Sequence, residues 1–221
     1  MNIKAIIFDL DGTLLDRDLS LRSFIAAQYD RFLPAFKQIS KQDYLEQFIQ
    51  LDCRGHVWKD KVYQSLIKRF NITELTWQQL LNDYETQFKY YCIAIPTLKE
   101  TLATLQQQNY LLGIITNGRG KFQARAIEGL KIRNYFDTIL ISETEQIRKP
   151  EPEIFYRALS RLKVSATESV YVGDNPDADI IGAKKAGLKA IWQRNSFWQE
   201  PQLADAVIDR LDEIPPIVAT M

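Results

Sequence analysis

Apolar residues along this chain come in two rhythms. Short continuous runs recur, each closed by a polar or glycine-containing turn: "AIIFDL", "LLGIITNG", "TILIS", "SVYVGDN" and "KAIWQ". Between them the apolar positions take a helical period, as at Leu98, Leu102 and Leu105, one face of a helix after Pro96. Uninterrupted apolar runs read as strands buried on both faces, and their alternation with helices predicts an α/β, Rossmann-like parallel sheet of five or six strands covered by helices on both sides. Further helices are expected at about 119–130, 153–162 and 177–186.

From 16 to 92 the rhythm changes. Tyr44, Phe48 and Leu51 keep a helical period, as do Val62, Leu66, Ile67 and Phe70, while Pro34, Gly55 and Asn71 mark breaks. No strand-like run stands out. Roughly four helices between the first strand and the second exceed what one crossover needs. The segments 1–15 and 93–221 are therefore expected to form one core, with 16–92 an inserted helical domain. The terminal "PPIVATM" reads as a loosely packed tail.

Composition narrows the partners. The 221 residues are 46% hydrophobic, enough to bury a full core. Lys plus Arg balance Asp plus Glu at 28 each, so no global field recruits a nucleic acid polymer or an anionic membrane. Cys53 and Cys92 are too few for a secreted disulfide framework and lack metal-ligand spacing. The first apolar run is broken by Asp9, and no later run reaches membrane length. These features predict a soluble, cytoplasmic chain, a monomer or weak homodimer, whose partner is a small molecule.

Candidate chemistry begins in "IIFDLDGTLLD", where an apolar run ends in two carboxylates one residue apart. Turn chemistry accounts for Gly12 and lets Thr13 cap the next helix. It accounts poorly for Asp9, because a carboxylate at the end of a buried strand is costly unless it meets a cation or hydrogen-bond donors. Parallel sheets place ligands beyond the carboxyl ends of their strands. That edge gathers Asp9 and Asp11, Thr116 and Asn117, then Asp174, Asn175, Asp177 and Asp179, with Lys149 of "RKPEP" at the expected start of a helix. Clustered carboxylates repel one another without a cation, and oxygen-only ligands favour Mg²⁺. Lys149, Thr116 and turn N–H groups suit a phosphate, with Asn117 and Gly118 expected at the substrate. Asp9 then serves as a carboxylate nucleophile, and Asp11 exchanges protons with the leaving oxygen and with water.

"DLDGT", "IITNG", "KPEP" and "VGDNPDAD" resemble, in order and spacing, the four signature motifs of the haloacid dehalogenase superfamily of phosphohydrolases. The resemblance spans the chain. It implies that Asp9 forms an aspartyl-phosphate, Asp11 is the acid/base, Thr116 binds a phosphoryl oxygen and Lys149 steadies the nucleophile. It also implies Mg²⁺ on Asp9, the Asp11 carbonyl and Asp174, with Asp179 direct or through water. Asp177 is expected in the first turn of the following helix. Asp11 favours transfer of phosphate over dehalogenation, since a halide leaves without a proton. A mutase of the β-phosphoglucomutase type remains an alternative, as does a binding module that has kept the fold. The insert matches the helical cap of the branch containing phosphoglycolate phosphatases and nucleotidases, with hinges expected at about 16–19 and 91–96. In it, Arg54 and His56 of "DCRGHVW", with Lys59 or Lys61, stand as substrate-binding candidates against the reading that they are ordinary solvated or interhelical residues.

Overall fold

A computed structural model describes residues 2–36 and 38–221. Met1, the first residue of the expected core segment 1–15, and Lys37, within the expected insert 16–92, lie outside the described residues. In chain order the elements are β1 (Ala5–Phe8), α1 (Arg17–Arg31), α2 (Lys41–Asp52), α3 (Lys59–Phe70), α4 (Trp77–Gln87), α5 (Leu98–Gln107) and β2 (Leu111–Thr116). There follow α6 (Gly120–Leu130), β3 (Thr138–Ile141), the short α7 (Ser142–Glu145), α8 (Pro152–Leu162), β4 (Ser169–Gly173), the short α9 (Gly182–Lys185), β5 (Lys189–Gln193), β6 (Ala206–Ile208) and α10 (Ile214–Ala219). The chain forms two compact units, one up to Asp16 together with Ile93–Met221, the other Arg17–Cys92. Among the described residues no helix is long and apolar enough to cross a membrane.

The first unit is built on a six-stranded sheet in the order β3-β2-β1-β4-β5-β6, with every pair parallel. β1 and β4 are buried along their whole length, which is why they read as unbroken apolar runs rather than alternating ones. The chain first builds outward from β1 to β2 and β3, then returns to β1's other edge with β4. The carboxyl end of β1 is therefore where the strand order reverses, the position at which open parallel sheets form a ligand crevice. One face packs through Ile7, Ile115, Leu140, Tyr171 and Trp192 onto Phe155, Ala158 and Leu162 of α8. α8 buries the stripe Ile154, Phe155, Ala158, Leu159 and Leu162, a helical period against the sheet.

Four expectations need correction here. Lys149 is not at a helix start; it lies in the loop before α8, because a residue preceding proline is pushed out of the helical region and "KPEP" repeats that restriction until Pro152, which suits a first turn. The single helix expected at 177–186 is a π-type turn, Pro176–Ile181, running into α9. Its start is capped by the Asn175 side chain, which accepts from the N–H groups of Asp177 and Ala178. The "PPIVATM" tail is mostly α10, with Ile214, Pro215 and Val218 buried; prolines are tolerated in a first turn, and the apolar residues dock. Thr13 caps nothing: α1 begins at Arg17, and the buried Thr13 hydroxyl has no hydrogen-bond partner among the described residues. The three-residue β6 was too short to register as a run.

The second unit comprises α1–α4 around an aromatic core. Phe24 meets Tyr84 edge-on at 5.3 Å, and Phe48 meets Tyr63 at 5.4 Å. Gln28 is fully buried, donating to the Leu80 carbonyl at 3.0 Å and accepting from the Tyr63 hydroxyl at 2.8 Å. A second polar knot joins α2 to α3 and α1. Asp52 accepts from Lys59 and, at 2.6 Å, from Arg17. Lys59, considered above as a substrate ligand, is thus a buried counter-ion whose ammonium also sits near the rings of Trp58 and Tyr84. Arg54 lies between Cys53 and Gly55 on a left-handed turn with φ of 46°, 54° and 87°, its guanidinium 3.9 Å from Asp18. The Gly55 N–H donates to Asp52, and the His56 N–H to the Cys53 carbonyl.

Candidate active site

Asp9 is the first residue beyond β1, its N–H donating to the Val172 carbonyl of β4 at 2.9 Å. It is nearly buried, and so are Thr116 at the end of β2, Lys149 in its loop, and Asp174 and Asp179 after β4. Five chain-distant residues thus meet because parallel strands deliver their carboxyl ends to one edge. Lys149 Nζ donates to Asp9 Oδ1 at 2.6 Å, Asp179 Oδ1 at 2.6 Å and the Tyr171 hydroxyl at 2.8 Å, which uses its three N–H groups. Carboxylate oxygens of Asp9, Asp174 and Asp179 lie within 4.8 Å of one another. Asn195 donates to Asp174 Oδ2 at 2.7 Å, and the Trp192 indole N–H donates to the Asp174 carbonyl. Gly12 has a φ of 90°, and a β-carbon there would come within 2.5 Å of Asp174 Oδ2, so only glycine lets the first turn lie against that carboxylate.

The charges do not balance on protein atoms alone. Three carboxylates face one ammonium. Burial pushes the Asp9 carboxyl well above its ordinary range; Lys149 opposes this, and the charges of Asp179 and Asp174 reinforce it. Asp174 is pushed up to about 7 by burial and then by Asp179. Lys149 is raised, burial being outweighed by Asp179 and Asp9. An excess of buried negative charge, on oxygen donors only, is the environment a hard divalent cation relieves. The donor set fits one. Asp179 has Oδ1 on Lys149 and Oδ2 on the Asn175 N–H, so it supports from behind, while Asp9 Oδ2 and Asp174 Oδ1 are the carboxylate oxygens left for the ion.

The remaining candidates divide by position. The Asp11 carboxylate accepts from the Gln123 amide of α6 at 2.7 Å, and the same amide reaches Thr116 Oγ1 at 2.7 Å. Asn117, expected at the substrate, has both side-chain polar atoms on the Lys149 main chain, donating to its carbonyl and accepting from its N–H at 3.0 Å each. It clamps the lysine loop to the end of β2. The Gly118 N–H, expected at a phosphate, donates to Ser142 Oγ. Asp177 lies in the first turn of the π-type segment, as expected. Arg54 and His56 belong to the second unit.

Sequence reasoning missed Gln123, Tyr171 and Asn195. Each carries a faint signal: Gln123 is polar within the buried stripe 123, 126, 127, 130, and Tyr171 is a hydroxyl inside the apolar run "SVYVG". Asn195 lies two residues beyond β5, another strand end.

A family model of haloacid dehalogenase-like hydrolases matches residues 6–193, spanning all four motifs. The chain belongs to that family. It is 29% identical to a glyceraldehyde 3-phosphate phosphatase of Pyrococcus furiosus, over 96% of this chain and 91% of the relative. A HAD phosphatase structure from Thermococcus onnurineus is 29% identical with a TM-score of 0.70, covering 98% of each chain. The HAD-hydrolase YfnB of Bacillus subtilis, in a structure bound to magnesium, superposes with a TM-score of 0.80 at 22% identity over 99% of each chain, a likeness of fold. Both relatives at 29% identity are named phosphatases.

Proposed function

We propose that this hydrolase is a Mg²⁺-dependent phosphatase that cleaves a small phosphate monoester through an aspartyl-phosphate on Asp9. The observation that carries the reading is the buried pairing of Asp9 with Lys149 at 2.6 Å, beside Asp174 and Asp179 in a cluster with more carboxylates than cations. Asp9 and Asp174 would hold the metal by their side chains and Asp11 by its main-chain carbonyl, with Asp179 behind them. Bound Mg²⁺ supplies charge neutralisation and orients the phosphoryl group.

The chain's own residues then divide two half-reactions. A carboxylate oxygen of Asp9 attacks phosphorus, the bond from phosphorus to the leaving oxygen breaks, and Asp11 gives that oxygen its proton. Next a water oxygen attacks the same phosphorus, Asp11 takes the water proton, and the bond from phosphorus to Asp9 breaks, freeing the carboxylate and inorganic phosphate. Lys149 balances charge at Asp9 throughout. Thr116 donates its hydroxyl proton to a phosphoryl oxygen. A halide needs no such proton, so Asp11 supports phosphate transfer over dehalogenation.

The name of the Pyrococcus furiosus relative makes a three-carbon sugar phosphate the first substrate to try. The test is phosphate release from a panel of such esters, hexose phosphates, phosphoglycolate and nucleoside monophosphates, with Mg²⁺ or with chelator. Turnover that requires Mg²⁺ and falls by about 10⁴-fold or more in Asp9→Asn is expected. Undiminished turnover in Asp9→Asn would remove the nucleophile assignment, and fast sugar phosphate isomerisation with slow release would reassign the chain as a mutase.

A further inference from the structure

Gln123 is a buried polar side chain at the site that the mechanism above does not use. It is 2% exposed, on the core face of α6 beside Ala126, Ile127 and Leu130. Its amide nitrogen lies 2.7 Å from Asp11 Oδ2, 2.7 Å from Thr116 Oγ1 and 3.3 Å from the Asn117 carbonyl. An ionised carboxylate and a carbonyl can only accept, so the amide must present its NH₂ and not its oxygen to them. Gly118 leaves room for this approach: with φ of 154°, a β-carbon there would come within 2.9 Å of Gln123 Cγ.

We infer that Gln123 is a positioning residue that sets the proton geometry of both Asp11 and Thr116. A carboxylic acid carries its proton on one oxygen. With Gln123 donating to Oδ2, the proton exchanged with the leaving oxygen and with water is confined to Oδ1. A hydroxyl that accepts an N–H must aim its own proton elsewhere, so the same amide turns the Thr116 O–H outward as a donor to phosphate. One side chain thereby coordinates proton delivery and phosphoryl binding, which act in the same step and come from different strands. A neutral amide suits the task because it cannot exchange the proton itself.

This inference rests on the phosphatase reading and is separable from it by leaving-group dependence. An alkyl phosphate departs poorly without a proton, whereas p-nitrophenyl phosphate departs readily as its anion. For the wild type, Gln123→Met and Gln123→Glu, kcat/KM is measured on both esters, with thermal unfolding as the check on folding. Met keeps the volume without the donor, and Glu keeps the shape but presents acceptors; either suffices. The expected result is a loss of about 10²-fold or more on the alkyl ester, the scale of general acid catalysis, against less than about 10-fold on the aryl ester. Equal losses on both esters would overturn the inference while leaving the phosphatase reading intact. A wild type whose kcat/KM already falls in step with leaving-group basicity has no proton delivery to position, and would overturn it without any variant. A wild type that releases phosphate from neither ester, nor from any of the panel, would instead defeat the underlying reading.

Discussion

Each N–H of the Lys149 ammonium has an acceptor, and each acceptor has a different origin: Asp9 after β1, Asp179 after β4, and the Tyr171 hydroxyl from inside β4. The tyrosine hydroxyl donates to the Ile115 carbonyl at 3.0 Å, and burial raises its pKa well above the ordinary value, so it remains the neutral donor this chain of bonds requires. Tyr171→Phe should therefore leave one ammonium N–H and one carbonyl unmet inside the core. A loss of about 1–3 kcal/mol in urea unfolding is expected, the cost of a buried unsatisfied polar group. At this scale the motif residues were readable because each is a charged or hydroxyl group stranded at the end of an apolar run. Tyr171 and Gln123 were not, since a polar side chain inside a buried stripe looks like a packing residue until its partners, 56 and 112 positions away, are known.

The elements obey local rules almost everywhere. α8 carries an apolar stripe after Pro152, α4 opens on the capping box of Thr76 and Gln79, and α3 ends on a left-handed Asn71. The joint between α2 and α3 is different. Burial alone would raise the Asp52 carboxyl, but Lys59 and then Arg17 outweigh it and hold it below the usual carboxylate range. A carboxyl depressed in the folded state contributes stability above its unfolded value of about 3.9, and loses it as pH falls through the lower folded value. Asp52→Asn should cost about 3–5 kcal/mol at pH 7, since Lys59 keeps a buried charge without its partner, and should flatten the acid limb of stability below about pH 4. Urea titrations from pH 3 to pH 7 on both proteins would show this, and an unchanged acid limb would mean Asp52 is not the group responsible. The sequence weighs Lys59 only as a substrate contact or a solvated charge, because helical period alone does not tell a buried salt bridge from a solvated face.

For the whole molecule, topology decides what the residues can do together. The sheet order β3-β2-β1-β4-β5-β6 brings Asp9, Thr116, Asp174 and Asn195 from four strand ends to one edge, where protein cations fall short of the carboxylates. A divalent cation bound only by the native state stabilises it by about 2.7 kcal/mol at a hundredfold excess over its dissociation constant. Mg²⁺ should accordingly raise the melting temperature of the wild type, reversibly on chelation, and leave that of Asp174→Asn unmoved; an equal rise in both would place the ion elsewhere. The sequence by itself determined the parallel α/β class, the run of helices between Asp16 and Cys92, and the acidic, threonine and lysine positions, because apolar period and strand-end chemistry are local properties. Only the tertiary structure decided that Lys149 reaches Asp9 from a loop, that Asn117 clamps that loop, that the final segment docks as a helix, and that Gln123, Tyr171 and Asn195 hydrogen-bond to the candidate site residues. The physical reason is the same for all of these: a hydrogen bond is specified by where its partner lies, and folding chooses partners from parts of the chain that the linear pattern leaves unconnected.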